Sequence, residues 1–462
     1  MAMSIRTRLR ARFRSRVMRL LASETYLNKK RRRARIRRRL SGEPRSVHYF
    51  HQVDDPYSHL IVQKLDLLQQ TYAIPFTKHL VSLPADPFLG SAFHYETWAI
   101  RDAASIASDY GAEFTAASIP DAPSVQAANE QLADALAAPD FARLAFETGT
   151  ALWAGDMKAS SDQSHNQQNN RGALAVRQGN ALREKLGHYL GGTFYYEGEW
   201  FWGIDRIRLL ETRLIEEGLR SPSDQSGPSL SGQYLPEQNL SELCVPEPGA
   251  RDTSELNKND STKNIVLEYF PSLRSPYTAI GHQRVLDLIE RSGVTLKLRP
   301  VMPMMMRGIP APGAKGQYII SDAGREARYR QVPFGNIVDP FGEPVRQAFA
   351  LFPAALAMGK GMEFVTQYLS AAWAEGVDIT HETGLKQVIQ RSGLDWQEVK
   401  KAAAEMDWEA LLERNVEDML AAGLWGVPSF RVTGGNDEST FACWGQDRIW
   451  RVENEIARRA GI

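Results

Sequence analysis

The sequence predicts an α/β protein built from two tandem domains of one plan, each with a helical insertion. Three observations predict it. Val47-His48-Tyr49-Phe50 and Asp55-Pro56-Tyr57-Ser58 recur 220 positions later as Leu267-Glu268-Tyr269-Phe270 and Ser275-Pro276-Tyr277-Thr278. Near the end of each half a second pair matches, Phe201-Trp202-Gly203-Ile204-Asp205-Arg206 and Ala442-Cys443-Trp444-Gly445-Gln446-Asp447-Arg448. Between the halves lies a stretch, 219–263, rich in Ser, Pro, Gly, Asn and Asp and without periodicity, which reads as a flexible linker. A chain of 462 residues fits two domains better than one core.

The first domain is expected over 46–218. Strand 46–50 breaks at Pro56 into a helix whose Leu60, Ile61, Leu65 and Leu68 recur at helical spacing. A strand at 76–81 follows, then a helical stretch from about 94 to 190, broken by a polar loop at 160–170. Thr193–Tyr196 and Trp200–Phe201 make a strand pair around Glu197-Gly198, and a helix over 204–217 closes the domain. The second domain, 264–462, repeats this: strand 265–270, helix 276–291, strand 294–299, helices from about 315 to 424, strands near 429–432 and 440–443, and a helix over 446–459.

The net charge of zero conceals an asymmetry. Residues 1–46 hold 17 Lys and Arg against Glu24 and Glu43, so the remainder is net −15. From Arg6 to Arg16 every second residue is arginine, which spreads charge around any helix. Residues 1–45 therefore read as a disordered basic leader with weak affinity for anionic surfaces. Its further roles are a peripheral anchor on anionic lipid, a polyanion-binding arm or a transit segment. The chain has no apolar run long enough for a transmembrane helix. Cys244 and Cys443 form no C-x-x-C pair and no metal-ligand cluster, which points to a reducing, cytoplasmic setting and to no bound metal.

Three features of the second domain bear on chemistry. Ser275-Pro276 is an N-cap followed by the residue favoured at the first helical position, so its hydroxyl stands at the positive end of a helix. A thiolate or anion placed there is stabilised by free N–H groups and by the hydroxyl as donor. Capping alone accounts for most such pairs. Val427-Pro428 opens a strand. It is either an ordinary strand entry or a cis-proline leaving the backbone of Val427 to pair with a ligand. Gln446-Asp447 stands at the start of the last helix, where Asp447 either caps or binds a ligand amino group. In the first domain His51, Asp55 and His59 offer a metal set that neither spacing nor strand geometry demands. Cys244 falls in the linker, where a thiol is incidental.

Nearly all of residues 264–461 resembles the DsbA-like branch of the thioredoxin superfamily, in particular 2-hydroxychromene-2-carboxylate isomerases and kappa-class glutathione transferases. The resemblance rests on an ordered set. It begins with Ser275-Pro276-Tyr277 and the segment Lys315 to Phe334 with Tyr318, Asp322, Arg325 and Ala327. Ala372-Trp373-Ala374-Glu375-Gly376-Val377-Asp378-Ile379, Gly393-Leu394-Asp395, Gly426-Val427-Pro428 and Trp444-Gly445-Gln446-Asp447-Arg448 complete it. It implies that Ser275 holds the sulfur of glutathione, that Val427 before the cis-proline Pro428 pairs with its cysteinyl backbone, and that Gln446 and Asp447 hold its γ-glutamyl end. Ser272-Leu273-Arg274-Ser275 stands where dithiol oxidants of this fold carry C-x-x-C, so direct disulfide exchange is not expected.

Two departures concern the substrate. Ser272 replaces an Asp that the family commonly carries, and Arg274 replaces an apolar residue; a cation there either lowers a bound thiol's pKa, attracts an acidic substrate or is only solvated surface. In the first domain Asp55 replaces Ser275 and Gly192 replaces Pro428, while Trp153 matches Trp373. A carboxylate caps a helix but repels a thiolate. The expectation is therefore two thioredoxin-like domains, the first a degenerate scaffold, paired as a pseudodimer in cis or as a homodimer. The second would be a glutathione-dependent isomerase or transferase for a conjugated or aromatic keto acid, with glutathione as co-substrate. The alternatives are a non-catalytic scaffold tethered by its leader and a thiol–disulfide oxidoreductase.

Overall fold

The computed structural model describes residues 5–157, 170–221, 243–245, 248–249 and 262–461. The chain forms two compact units: one of residues 27–248, the other of residues 249–462 together with the chain's first 26.

The helices of the first-half unit are α2 (Glu24–Ser41), which begins just before its boundary, α3 (Pro56–Thr71), α4 (Asp86–Leu89), α5 (Ala92–Ile106), α6 (Ala122–Ala133), α7 (Phe141–Ala154), α8 (Arg171–Leu186) and α9 (Ile207–Glu216). The other unit holds α1 (Ile5–Ala22), α10 (Pro276–Ser292), α11 (Gly313–Tyr329), α12 (Glu343–Ala357), α13 (Gly361–Ser370), α14 (Glu382–Arg391), α15 (Trp396–Ala403), α16 (Trp408–Ala421) and α17 (Ile449–Ala460).

Among the described residues each unit has one four-stranded sheet. In the first, β1 (Val47–His51) is central, parallel to β2 (Phe76–Leu80) and antiparallel to β3 (Thr193–Tyr196), which pairs with β4 (Glu199–Trp202). In the second, β5 (Ile265–Phe270) takes the central place between β6 (Thr295–Leu298) and β7 (Ser429–Gly434), with β8 (Asp437–Trp444) at the edge. The strand orders, β2-β1-β3-β4 and β6-β5-β7-β8, are the same. The helices from α11 to α16 are inserted between β6 and β7.

Local chemistry accounts for the elements. The strands entering both sites are buried on both faces near their ends, and so read as apolar runs. Proline at the first helical position starts α3 and α10. Gly293, at φ 65°, ends α10 in the left-handed conformation that lets the chain turn into β6. Leu273, Ile337, Phe349, Phe364, Tyr368 and Trp373 are among the residues of the core built by the inserted helices and the loop after β5, and Ala22 of α1 joins them.

Equivalent contacts recur at the 220-residue offset. Tyr57 donates to Asp102 and Tyr277 to Asp322, both at 2.8 Å. Glu268 on β5 pairs with Arg299 at 2.7 Å. At the matching positions His48 meets His79 at 3.0 Å, a neutral pair in place of an ionic one.

The basic leader differs from its expectation. Ile5–Ala22 and Glu24–Ser41 are helical, and the reason is buried carboxylates that match their arginines. On α2, Arg31 pairs with Glu199 at 2.8 Å, while Arg35 and Arg38 both reach Glu197, at 3.2 and 2.9 Å. Gly198, at φ 94°, lets the β3–β4 turn approach α2 closely; a Cβ there would lie 2.9 Å from the Lys30 carbonyl oxygen. On α1, Arg14 pairs with Asp339 at 2.7 Å and Arg19 donates to the Ile337 carbonyl at 2.7 Å. Gly324 on α11 admits Ala22, whose carbonyl oxygen would sit 2.7 Å from any Cβ.

Most of the expected linker and the polar loop at 160–170 lie outside the described residues. Cys244 is not loose. Its Sγ and N–H both donate to Glu211, at 2.8 and 2.9 Å, and Val245 N–H joins them at 3.0 Å. Burial, with the Glu211 charge, pushes the Cys244 thiol well above the usual range.

Candidate active site

The site is built where β5 ends and α10 begins. Ser275 caps α10 with φ −106° and ψ 119°, and its Oγ accepts the Thr278 N–H at 3.1 Å. The Ser275 hydroxyl points across to the Val427 carbonyl at 3.5 Å. The Val427–Pro428 peptide is cis. Two segments 152 residues apart thus converge on one point: a helix N-terminus with a hydroxyl, and the backbone of the residue before a cis-proline.

Packing holds that convergence in place. Ser429 Oγ donates to the Gly426 carbonyl at 2.7 Å, and Gly445 N–H donates to the Pro428 carbonyl at 2.9 Å. Gly426 is required by the indole of Trp444, which would lie 2.2 Å from a Cβ. Trp373 sits in a single π-helical turn, Ala371–Glu375, and donates through Nε1 to the Leu273 carbonyl at 3.2 Å. Its ring stacks on Phe334 with centroids 5.8 Å apart.

Gln446, expected to hold the γ-glutamyl end of glutathione, is bonded within the fold. Its side chain is fully buried, and its amide nitrogen donates to Asp447 and to Glu326. Arg284 donates to its backbone carbonyl at 3.0 Å and to Oε1 at 3.3 Å. These bonds tie Gln446 to α10, α11 and its neighbour Asp447. Asp447 beside it is only partly buried and can present a carboxylate.

Arg274 is also committed. Its guanidinium pairs with Asp339 Oδ1 at 2.8 Å and lies over the Phe341 ring, 4.7 Å from the centroid. Arg14 takes the other oxygen of the same carboxylate and stacks on the same ring at 5.2 Å. The Asp339 side chain is wholly buried, so two cations and the Phe341 N–H satisfy one charge. Arg274 also approaches Met305 Sδ at 3.5 Å, which brings the short helix Met304–Arg307 to the site. Met305 is exposed, not packed in the core.

Ser272 is buried, with no partner for its Oγ among the described residues. Lys315 near the start of α11 is partly buried, and burial pulls its ammonium down to about 8. Sequence reasoning missed Asp339 and Phe341. Their signal was a single carboxylate inside the apolar run Ile337-Val338-Asp339-Pro340-Phe341.

The first-half unit keeps the frame and alters the chemistry. Asp55 is buried and caps α3, accepting from Ser58 N–H at 2.8 Å and Ser58 Oγ at 2.7 Å. Burial pushes its carboxyl up to about 6, against the lowering effect of those hydrogen bonds. Gly192 stands where Pro428 does, at φ 57°, with Asp55 Oδ2 only 2.7 Å from where a Cβ would be. Trp153 Nε1, the counterpart of Trp373 Nε1, has no partner among the described residues. His51 faces the Tyr49 hydroxyl at 2.9 Å and His59 packs between Phe114 and Phe146. With Asp55 spent on its cap, the three do not converge, and no group of His, Cys, Asp or Glu among the described residues is arranged for a metal.

Cys443 lies on β8 opposite Phe430 and is fully buried. The start of α10 itself carries Ser275 rather than a cysteine.

Comparison with known proteins finds similarity in the C-terminal part of the chain. Residues 266–457 match the DSBA-like thioredoxin domain. Glutathione S-transferase kappa 1 of Rattus norvegicus is 25% identical over 199 residues, 40% of this chain and 87% of that protein. The solved 2-hydroxychromene-2-carboxylate isomerase matches with 18% identity and a TM-score of 0.34, over 42% of this chain and 95% of that one. The cytosolic disulfide reductase DsbM from Pseudomonas aeruginosa with GSH matches with 19% identity and a TM-score of 0.32, over 42% of this chain and 99% of that one. The C-terminal part of this α/β chain is thus similar to DsbA-like thioredoxin domains and, at 25% identity, to a kappa-class glutathione transferase.

Proposed function

We propose that the C-terminal domain is a glutathione-dependent isomerase or transferase, acting on a conjugated or aromatic keto acid, with Ser275 at the sulfur. The observation that carries this reading is the meeting of the Ser275 hydroxyl with the Val427 carbonyl at 3.5 Å across a cis-proline. At that distance the hydroxyl makes only a weak internal bond, and it turns readily toward a ligand sulfur. The α10 N-terminus favours the thiolate over the thiol. Val427 offers its backbone to the cysteinyl unit, and Asp447 its carboxylate to the γ-glutamyl ammonium. Similarity to a kappa-class glutathione transferase supports the same assignment.

In the isomerase version the thiolate adds to the conjugated double bond and a C–S bond forms. The electron pair moves to the carbonyl oxygen, rotation follows about the new single bond, and the pair returns to expel the thiolate. Exposed Met305 supplies part of the apolar wall. The first-half unit, with the same strand order, acts as a second thioredoxin-like domain without a thiolate site, because the Asp55 carboxyl occupies the place of the serine.

The positions of the two cysteines favour this over thiol–disulfide exchange, which needs a nucleophilic thiol at the start of α10. The experiment is calorimetry with glutathione, joined to turnover of an unsaturated keto acid. The wild type is expected to bind glutathione, and Ser275→Ala to lose turnover while keeping its fold. No affinity in the wild type, or full turnover in Ser275→Ala, overturns the proposal and favours a binding or scaffold role.

A further inference from the structure

Helix α1 has two apolar faces. One is docked: Ala11, Ser15 and Ala22 are buried against the unit that carries Ser275. Ser15 Oγ accepts the Asp339 N–H at 2.9 Å, and the Ala22 carbonyl accepts from Arg328 at 2.7 Å. The other face is open. Leu9, Phe13, Val17 and Leu20 are 61%, 69%, 37% and 52% exposed. On a helical projection of about 100° per residue these four cluster directly opposite Ala11, Ser15 and Ala22. Arg12 and Arg16 border the stripe on one side and Arg10 on the other, all exposed. Ile5–Ala22 contains no acidic residue.

From this arrangement we propose that α1 is an interfacial helix which seats the protein on an anionic lipid surface, with Leu9, Phe13, Val17 and Leu20 entering the acyl boundary. The chemistry selects this occupant. A nucleic acid or polyphosphate takes up arginines but gives no return for burying a phenyl ring and three aliphatic side chains. A second copy of α1 would bring Arg10, Arg12 and Arg16 against their own like charges. A leaflet with acidic headgroups offers an apolar layer flanked by negative charge, and the arginine stems reach back to it. No helix among the described residues is long and apolar enough to cross a membrane, so the helix lies in the surface plane. Its ion pair with Asp339 fixes the stripe before any contact, so little ordering accompanies binding. The inference is independent of what Ser275 does.

The test is co-sedimentation of the full-length protein with vesicles of phosphatidylcholine alone and of phosphatidylcholine mixed with phosphatidylserine. Binding is expected to the mixed vesicles and to fall with salt. Leu9→Ser with Phe13→Ser should lower the partition coefficient at least about tenfold while leaving the thermal melt unchanged, since both side chains are exposed. Phe13→Trp should show a blue-shifted emission component on anionic vesicles only. Failure of the wild type to sediment overturns the proposal. So does binding that survives the double serine variant but is lost in Arg12→Gln with Arg16→Gln and is matched by heparin, which marks a polyanion arm. Self-association without lipid that the double serine variant abolishes marks a second copy instead, and also overturns it.

Discussion

Arg274, the residue before Ser275, is held by Asp339 in a 2.8 Å ion pair on a fully buried carboxylate. The cation left open between acting on a thiol, attracting substrate and lying on solvated surface is ion-paired within the fold, and it shares its counter-charge with Arg14 from the other end of the chain. Asp339→Asn should cost about 3 kcal/mol, because it leaves two guanidinium groups without the charge that holds them. Urea unfolding followed by circular dichroism checks this; an unchanged midpoint would show that the pair is dispensable.

Replacing Ser275 by cysteine places a thiol at the start of α10. Its pKa should fall below the usual value of about 8.5, since the helix N-terminus favours the thiolate. The rate of alkylation by iodoacetamide against pH reads the value directly. A normal or raised pKa would remove the electrostatic basis for thiolate stabilisation at this site.

Gly426→Ala forces a Cβ to within 2.2 Å of the Trp444 indole. A rigid ring cannot yield as a flexible side chain would, so the loop before Pro428 must shift. The expected loss is about 1–3 kcal/mol of stability, with weaker glutathione affinity than the stability change alone explains. Calorimetry on the folded variant separates the two effects.

Acid should destabilise the C-terminal unit through His282. Burial lowers its pKa to about 4, and its ring nitrogens meet Tyr269 at 3.2 Å and Thr366 at 2.8 Å. The unfolded chain takes up the proton first, near the ordinary value of about 6.5. Stability is thus complete above that pH and is lost as the pH falls from 6.5 toward 4. His51, His59 and His79 act in the same direction in the first-half unit, where burial lowers them to about 3, 4 and 4. Asp55, raised to about 6, acts the opposite way over part of the same range. Denaturation midpoints measured from pH 7 to 4.5 should fall, and His282→Gln should flatten the slope; a pH-independent midpoint contradicts the account.

The strands and the two capped helices were legible because each is written in local chemistry, whereas the joining of Ser275 and Val427 in one site was implied only by the family resemblance. Pro after an N-cap, apolar runs and turn glycines need no knowledge of distant residues. The burial of Gln446 was not legible, since it depends on Arg284 and Glu326, 162 and 120 residues away. The leader was misjudged for a related reason. Its charge density suggests repulsion and disorder, and nothing local reveals that Glu197, Glu199 and Asp339 are buried and waiting for arginines. Leu9 and Phe13 were overlooked because alternating arginines masked a stripe that appears only once the opposite face is docked.

Because α1 belongs to the unit otherwise made of residues 249–462, that unit is discontinuous in the chain. A ribosome would deliver its first helix more than 220 residues before the rest. Until then α1 is an arginine-rich segment with Asp339 still unmade, exposed to any acidic partner during synthesis. A gene fragment starting at the second repeat would encode the Ser275 motif complete, yet produce a domain missing one wall and one counter-ion.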